Sequence, residues 1–240
     1  PLDDVRALYA SGDAPAREER SRNYTVVKHI PELIELVETL KSKKMVAFDL
    51  ETTSLDVLTT EIVGLSFAWE ANSAVYIAVK YPNPPDGCFT AEDIDIVLRE
   101  LKPFWDSEAI KKTGHNLKFD LSVLKSYGIE VSGVGFDSQI AGYLVNPGGR
   151  GYGMNDLSVQ HLGIDPIHIE ELIGKGKDQI TMDLVTLDVI SEYAAEDADI
   201  SYQLYEILSE KIETDKLTSV LNDIDLPLIP VLMDMEREGT

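Results

Sequence analysis

The stretch that decides the fold is Met45-Val46-Ala47-Phe48-Asp49-Leu50-Glu51, an apolar run that ends in two carboxylates. A short apolar run of this kind predicts a buried β-strand. Because side chains alternate between the two faces of a strand, Asp49 and Glu51 are expected to project from the same face. Two carboxylates on one face can bind a hard divalent cation such as Mg²⁺ or Mn²⁺, although taken alone such a pair would more often be solvated surface acids.

Two further acidic patches follow later in the chain. The first is His115-Asn116-Leu117-Lys118-Phe119-Asp120, at the start of a predicted helix that Gly128 ends. The second is Tyr193-Ala194-Ala195-Glu196-Asp197, in a predicted helix over residues 189–208 that places its tyrosine and last aspartate one turn apart on one face. Helical geometry directs Glu196 and Asp199 elsewhere around that helix.

The four carboxylates of Asp49, Glu51, Asp120 and Asp197 form one candidate metal site. Carboxylates and waters are the ligands that Mg²⁺ prefers, and four converging carboxylates repel one another strongly unless cations lie between them.

The periodicity along the chain predicts an α/β protein with a mixed sheet flanked by helices. Residues 45–49, 62–69 and 74–79 are three predicted strands with short connections, which favour antiparallel pairing. The other predicted strands cover residues 24–27 and 110–113. One further predicted helix begins at Pro31, one runs from Thr90 to about Leu101, and one follows Asp137 and runs through Leu144. Residues 157–162 and 182–184 are further predicted helical segments.

Composition places the chain among ordinary soluble proteins, with 240 residues of which 44% are hydrophobic. No apolar run approaches the roughly 20 residues that a membrane helix needs, so we expect a cytoplasmic monomer with no membrane partner. Cys88 is the only cysteine, which excludes intrachain disulfides and cysteine-based zinc sites.

The formal net charge of −22 argues against nucleic acid as a partner, because Lys and Arg contacts to phosphate normally supply most of the affinity. The conflict eases if another domain holds most of the substrate and if cations neutralise the local carboxylates. Much of the excess lies between residues 196 and 238, where it predicts a solvated helix face.

The order of these patches resembles the 3′–5′ exonuclease (proofreading) domain of bacterial family A DNA polymerases. The resemblance runs from about residue 24 to residue 240, and it includes the turn Gly174-Lys175-Gly176-Lys177. The Tyr-x-x-x-Asp spacing is that of the tyrosine subtype of DEDD exonucleases. The resemblance therefore implies a ribonuclease-H-like fold.

The resemblance also implies a division of the chain. Residues 1–23 would be a linker, residues 24–215 the exonuclease domain, and residues 216–240 the truncated start of a polymerase domain of the same parent chain. The last assignment rests on the segment from Leu226 to Gly239, which resembles the opening of that domain.

The resemblance further implies the role of each acid. Asp49 would bridge two Mg²⁺ ions, for which Mn²⁺ can substitute. Glu51 and Asp197 would complete the coordination of the first ion, and Asp120 would hold the second ion largely through water. Tyr193 would orient the attacking water together with Glu51. The implied reaction is hydrolysis of the terminal phosphodiester of single-stranded or frayed DNA 3′ ends.

The implied substrate contacts surround this site. Leu55 would pack against the terminal base, although composition alone also allows an ordinary core leucine. Ile169 stands where the family commonly has an aromatic residue, which predicts weaker stacking. The remaining implied contacts are Thr52, His115, Asn116 and Lys118 near the terminal nucleotide, and Lys175 and Lys177 at phosphates or in a merely solvated turn.

Two other functions stay open at this level. One is a stand-alone RNA-processing 3′–5′ exonuclease of the same superfamily, against which the polymerase-like segment argues. The other is a non-catalytic scaffold with the same fold, in which one or more of the four carboxylates would be missing. All four carboxylates and Tyr193 are present.

Overall fold

A computed structural model describes residues 21–239. Residues 1–20 of the expected linker therefore lie outside the described residues. The described chain forms a mixed sheet flanked by helices, as the sequence predicts; the sheet has six strands, of which the last, over residues 134–137, was not predicted. In chain order the strands are β1 (Asn23–Val27), β2 (Met45–Thr52), β3 (Ile62–Glu70), β4 (Ser73–Ala78), β5 (Lys111–Gly114) and β6 (Val134–Asp137).

The strand order across the sheet is β1-β4-β3-β2-β5-β6. Strand β3 pairs antiparallel with β2 on one side and with β4 on the other, which confirms the prediction for the short connections. Strands β5 and β6 run parallel to β2, and β1 runs parallel to β4. The carboxyl ends of β2, β5 and β6 therefore meet at one edge of the sheet, where binding residues of α/β proteins collect.

The predicted helices are present with bounds that differ by a few residues, except that the segment predicted over residues 182–184 forms a 3₁₀ turn (Met182–Leu184). The segment predicted to run from Thr90 to Leu101 consists of a 3₁₀ turn (Ala91–Asp93) and one helix (Ile94–Glu100), and a further short helix (Lys102–Trp105) follows Leu101. The α-helices are α1 (Ile30–Lys41), α2 (Ile94–Glu100), α3 (Lys102–Trp105), α4 (Leu117–Ser126), α5 (Ser138–Val145), α6 (Met154–Leu162), α7 (Ile169–Ile173), α8 (Leu187–Thr214), α9 (Thr218–Val220) and α10 (Leu226–Glu238).

Aromatic side chains fill the core on one face of the sheet. Phe48 of β2 and Phe67 of β3 pack edge-on against the rings of α3, with centroids 5.3 Å from Trp105 and 5.5 Å from Phe104 respectively. All four side chains are fully buried. This packing holds the middle of the sheet, and with it the strand that carries Asp49.

The other face of the sheet is covered by the long helix α8. Small side chains meet at this contact, which lets the helix backbone approach the strands closely. They are Ala47, Ala68 and Ala74 on the sheet and Ala195 and Ala198 on the helix. Because Ala47 and Asp49 share a strand face, this close packing brings α8 next to the first carboxylates.

Helix α10 packs against α4 and β6 and so belongs to the same body as the sheet. Its buried side chains are Leu226, Ile229 and Met233. Two ion pairs cross the contact with α4, one between Lys118 and Glu236 and the other between Lys125 and Asp234.

None of the helices in the described part of the chain is both long enough and apolar enough to span a lipid bilayer.

Candidate active site

Three carboxylates meet where β2 passes under α8. Asp49 and Glu51 project from the same face of β2, as the strand period predicts, and Asp197 reaches them from the helix. One oxygen from each of the three lies within 4.8 Å of the others. Glu51 and Asp197 are buried, and Asp49 is half-buried. This spacing suits ligands that share one cation.

Asp120 lies beside this group rather than within it. It occupies the first turn of α4, its side chain is buried, and its pKa is raised by burial and then by the charge of Asp49. The backbone of Leu50 hydrogen-bonds its carboxylate and opposes that rise. The structure therefore arranges the four predicted acids as three together and one next to Asp49.

Burial is the main influence on all four acids. It raises the pKa of Asp49 to about 7 and raises the pKa values of Glu51, Asp120 and Asp197 well above their ordinary values. The charges of the neighbouring acids raise the pKa of Glu51 after burial does. Like charges held this close favour either protonation or a bound cation.

One atom of the site directly supports cation binding. Glu51 Oε1 is buried and has no hydrogen-bond partner among the residues that the structure describes. A buried carboxylate oxygen without a donor is costly unless a cation or water contacts it. The all-oxygen set therefore fits a hard divalent ion such as Mg²⁺ or Mn²⁺.

Tyr193 combines packing with a polar contact. Its ring packs against the buried cluster that contains Tyr76 and Ile190, and its hydroxyl hydrogen-bonds Asp197 one turn later. Burial, followed by the charges of Asp197 and Glu51, raises its pKa far above the ordinary value. The hydroxyl therefore remains protonated and can donate a hydrogen bond within the site.

Tyr76 forms the wall behind Glu51 and was not predicted from the sequence. Gly64 pairs with Glu51 across β2 and β3, and a Cβ at that glycine would lie 2.2 Å from the Tyr76 oxygen. Burial, and then the Glu51 charge, raises the pKa of Tyr76. The available sequence signal was a glycine inside a strand, which often marks a close approach by another group.

Asp137 is a second residue that the sequence analysis missed. It is buried at the end of β6, and its carboxylate accepts hydrogen bonds from the backbone N–H groups of Leu117 at 2.7 Å, Gln139 at 2.8 Å and Ile140 at 3.1 Å. It thus fixes the first turns of both α4 and α5, and so positions Asp120. An aspartate directly before a predicted helix was the signal.

His115 lies next to this turn and is neutral. Its Nδ1 is 2.9 Å from Ser138 Oγ, which itself donates to the Gly114 carbonyl at 3.0 Å, so Nδ1 carries the proton. Burial lowers the pKa of His115 to about 4. Asn116, the next residue, is exposed and adopts a left-handed conformation with φ 59° at the start of α4.

The expected base contact, Leu55, is 86% exposed, so the alternative of a core leucine is wrong. It follows β2 in the loop to β3, where Thr52 Oγ1 donates to Ser54 O at 3.0 Å. Ile169 begins α7 and is 40% exposed. Both apolar side chains are therefore available to a ligand.

The three lysines expected at phosphates have different surroundings. Lys118 is held in its ion pair with Glu236. Lys175 and Lys177 are exposed in the turn that follows α7.

Glu196 and Asp199 lie outside the carboxylate group, as predicted, but they are buried rather than solvated. Arg22 Nη2 donates to Glu196 at 2.5 Å, and the Tyr24 hydroxyl donates to Asp199 at 2.7 Å. The Asn72 backbone also donates to Asp199, at 2.8 Å. The expected solvated helix face is therefore wrong for these two acids and correct from Glu206 onward, for example at Glu210 and Glu213.

Comparison with known protein families gives a match to the family described as 3′–5′ exonuclease, over residues 24–213. Among curated proteins, the DNA polymerase I of Pseudomonas aeruginosa is 34% identical over 243 residues. The match covers 99% of this chain and 26% of the relative, so the chain spans about a quarter of that protein's length.

Solved structures share the fold. The nuclease NrnC of Brucella melitensis bound to pGG has a TM-score of 0.67 and 18% identity, with 92% of this chain and 95% of that chain covered. RNase D of Escherichia coli, an exoribonuclease, has a TM-score of 0.64 and 19% identity, with 91% and 51% covered. At these identities the likeness shows a common nuclease fold, the ribonuclease-H-like fold that the sequence predicts.

Proposed function

Because this chain belongs to the family of 3′–5′ exonuclease domains found in DNA polymerase I, we propose that it hydrolyses the terminal phosphodiester of single-stranded or frayed DNA 3′ ends. The observation that carries the proposal is the carboxylate group of Asp49, Glu51 and Asp197, whose oxygens lie within 4.8 Å of one another. The unpartnered Glu51 Oε1 supports it, since a structural carboxylate would have a donor there.

Two Mg²⁺ ions, or Mn²⁺ ions in their place, would bind this site. Asp49, Glu51 and Asp197 would hold the first, and Asp120 together with Asp49 would hold the second. Such a pair supplies Lewis acidity that stabilises both the attacking and the leaving oxygen of a phosphoryl displacement. The support is the donor set, which consists of carboxylates alone and is too repulsive to remain ionised by itself.

The protein's own groups orient the reacting water. Tyr193 keeps its proton because burial and neighbouring charge raise its pKa, so it is a hydrogen-bond donor and not a general base. Its hydroxyl oxygen, whose proton is donated to Asp197, and the Glu51 carboxylate both accept hydrogen bonds from the water and so fix its position. Asp197 orients the tyrosine by accepting its hydrogen bond.

Apolar contacts would hold the end of the strand. Leu55 presents an exposed side chain to the face of the terminal base, a contact that is indifferent to sequence. Thr52, His115 and Asn116 lie near the carboxyl ends of β2 and β5 and would contact the terminal nucleotide. Ile169, Lys118, Lys175 and Lys177 are the further proposed substrate contacts.

DNA is favoured over RNA by the relatives. The matches at 34% identity are DNA polymerases, whereas RNase D is 19% identical. We further propose that a polymerase domain of the same parent chain supplies most of the DNA affinity, since the charge of −22 offers little attraction to phosphate. The protein would act as a monomer in the cytoplasm.

A cleavage assay tests the function. A single-stranded DNA labelled at its 5′ end should be shortened one nucleotide at a time in Mg²⁺ and remain intact in EDTA. A matched RNA of the same sequence serves as the second substrate and should be cleaved more slowly. Faster cleavage of RNA would favour the RNA-processing alternative, and no cleavage of either strand in Mg²⁺ or Mn²⁺ would favour the scaffold.

A further inference from the structure

The connection between β2 and β3 is a compact loop, residues 53–61, which leaves the sheet directly after the carboxylates of β2. Its ends are joined, because Thr53 N–H donates to Glu61 O at 3.0 Å and Glu61 N–H donates to Thr53 Oγ1 at 3.0 Å. Lys80 pairs with Glu61 at 2.5 Å and with Asp183 at 3.2 Å. The base of the loop is thus fixed from both sides.

Side chains inside the loop satisfy its backbone. Asp56 Oδ1 accepts from Leu58 N–H at 3.0 Å, and Asp56 Oδ2 accepts from the Thr59 hydroxyl at 2.9 Å. Thr60 Oγ1 accepts from Ser54 N–H at 2.9 Å. A loop with joined ends and internal hydrogen bonds is preorganised, and such loops are frequently functional.

The loop presents two leucines to solvent. Leu55 is 86% exposed and Leu58 is 71% exposed, the two highest values among the large apolar side chains of the described residues. Val57, which lies between them, packs against the main core. The loop therefore buries one apolar side chain and exposes two others from a fixed backbone, which marks a contact surface.

We propose that Leu58 is a second base-contacting residue, which binds the penultimate base of the strand whose terminal base contacts Leu55. This inference rests on the proposed exonuclease function. Leu55 follows Glu51 by four residues, so it is next to the site of cleavage. Leu58 lies three residues further along the same ordered loop and takes the next base, because burying an exposed apolar side chain against the face of a base is favourable whatever the base is.

Two consecutive base contacts make the site prefer ends with two unpaired nucleotides over ends with one. An end with two unpaired nucleotides offers one base to each leucine, whereas an end with one offers a base to Leu55 alone. Because the loop is already ordered, little of the contact energy is lost in fixing it on binding.

Steady-state kinetics of Leu58→Ala test the contact on a single-stranded oligonucleotide in Mg²⁺. The matched control is Leu228→Ala, which removes a leucine that is 43% exposed on α10. Leu58→Ala should raise KM about five- to tenfold and leave kcat within about twofold, since a binding contact is lost. On a duplex with one mismatched 3′ nucleotide, the change in KM should be smaller. A KM equal to that of the control would overturn the proposal.

A binding measurement separates this inference from the proposed function. The probe is an oligonucleotide with 2-aminopurine at the penultimate position, bound in Ca²⁺ to hold back turnover. Leu58→Ala should change the emission of the bound probe, while the same variant bound to a terminal 2-aminopurine probe should match the parent. Equal emission at the penultimate position in parent and variant refutes the Leu58 contact even if the parent cleaves DNA. A change at that position supports the contact even if cleavage fails.

Discussion

Two sets of acids meet at helix α8 and differ in what surrounds them: the first is Glu196 with Asp199, and the second is Asp197 with Asp49 and Glu51 of β2. Glu196 and Asp199 accept hydrogen bonds from several protein donors. Asp197, which lies between them in sequence, instead faces Asp49 and Glu51. Burial is common to both sets, so the partners and not the burial distinguish acids that stabilise the fold from acids that can bind a cation.

The largest effect is expected from Asp49→Ala combined with Glu51→Ala, which removes two members of the second set. Cleavage of the labelled oligonucleotide should fall by roughly 10³-fold or more, because the shared cation site is lost. The free energy of unfolding in EDTA should stay equal or rise, since repulsion is relieved. Glu206→Ala with Glu210→Ala, at two exposed acids of α8, is the matched control. Residual activity above a few per cent would refute the metal assignment.

Glu196→Gln probes the first set and should act on stability. Arg22 would lose the charge of its buried partner, so the free energy of unfolding in urea should fall by about 3 kcal/mol. The dependence of the cleavage rate on Mg²⁺ should stay that of the parent well below the melting temperature. Loss of cleavage without loss of stability would instead place Glu196 in the cation site.

Tyr193→Phe separates the packing role of the ring from the role of the hydroxyl in the reaction. The variant keeps the ring in its buried cluster and removes only the hydroxyl beside Asp197. Losing one positioning hydrogen bond costs on the order of 1 to 3 kcal/mol, so the single-turnover rate should fall roughly ten- to a hundredfold. A rate equal to that of the parent at saturating Mg²⁺ would leave the tyrosine with packing alone.

The smallest effect concerns the pH dependence of stability without metal. The pKa of Asp49 is raised to about 7 in the fold from an ordinary value of 3.8, so between these values the folded state holds a proton that the unfolded state has released. In EDTA, stability should therefore fall as pH rises from 4 to 7, by on the order of 1 kcal/mol after solvent screening. Urea titrations at several pH values measure the free energy of unfolding of the parent and of Asp49→Asn. An equal dependence on pH in both proteins would show that Asp49 does not cause it.

Sequence periodicity was sufficient to predict the relative positions of site residues that lie within one strand or one helix. The alternation along β2 predicts the shared face of Asp49 and Glu51, and the helical period places Tyr193 one turn from Asp197. These relations depend only on local backbone geometry, which the residue types themselves favour. The arrangement of three acids together with Asp120 beside them depends on how α4 and α8 pack on the sheet. Sequence periodicity does not predict that packing.

Tertiary contacts of individual lysines explain part of what the sequence did not predict. Lys112 is fully buried in β5 because its Nζ donates to Ser107 O at 2.5 Å and lies 5.0 Å from the centre of the Phe104 ring. Lys118 pairs with Glu236, which is 118 residues away in the chain. Neither contact leaves a local signal, since a lysine in either position is by default a solvated one.

The packing of α10 against α4 determines where the chain can be truncated without disturbing the site. The family match ends at residue 213, so a fragment trimmed there would lack α10 altogether. Leu121 would lose its cover, and Lys118 and Lys125 would lose the acids that they pair with. Since α4 also carries Asp120, we expect a fragment that ends at residue 213 to be less stable, and to position this carboxylate less well, than one that extends through Glu238.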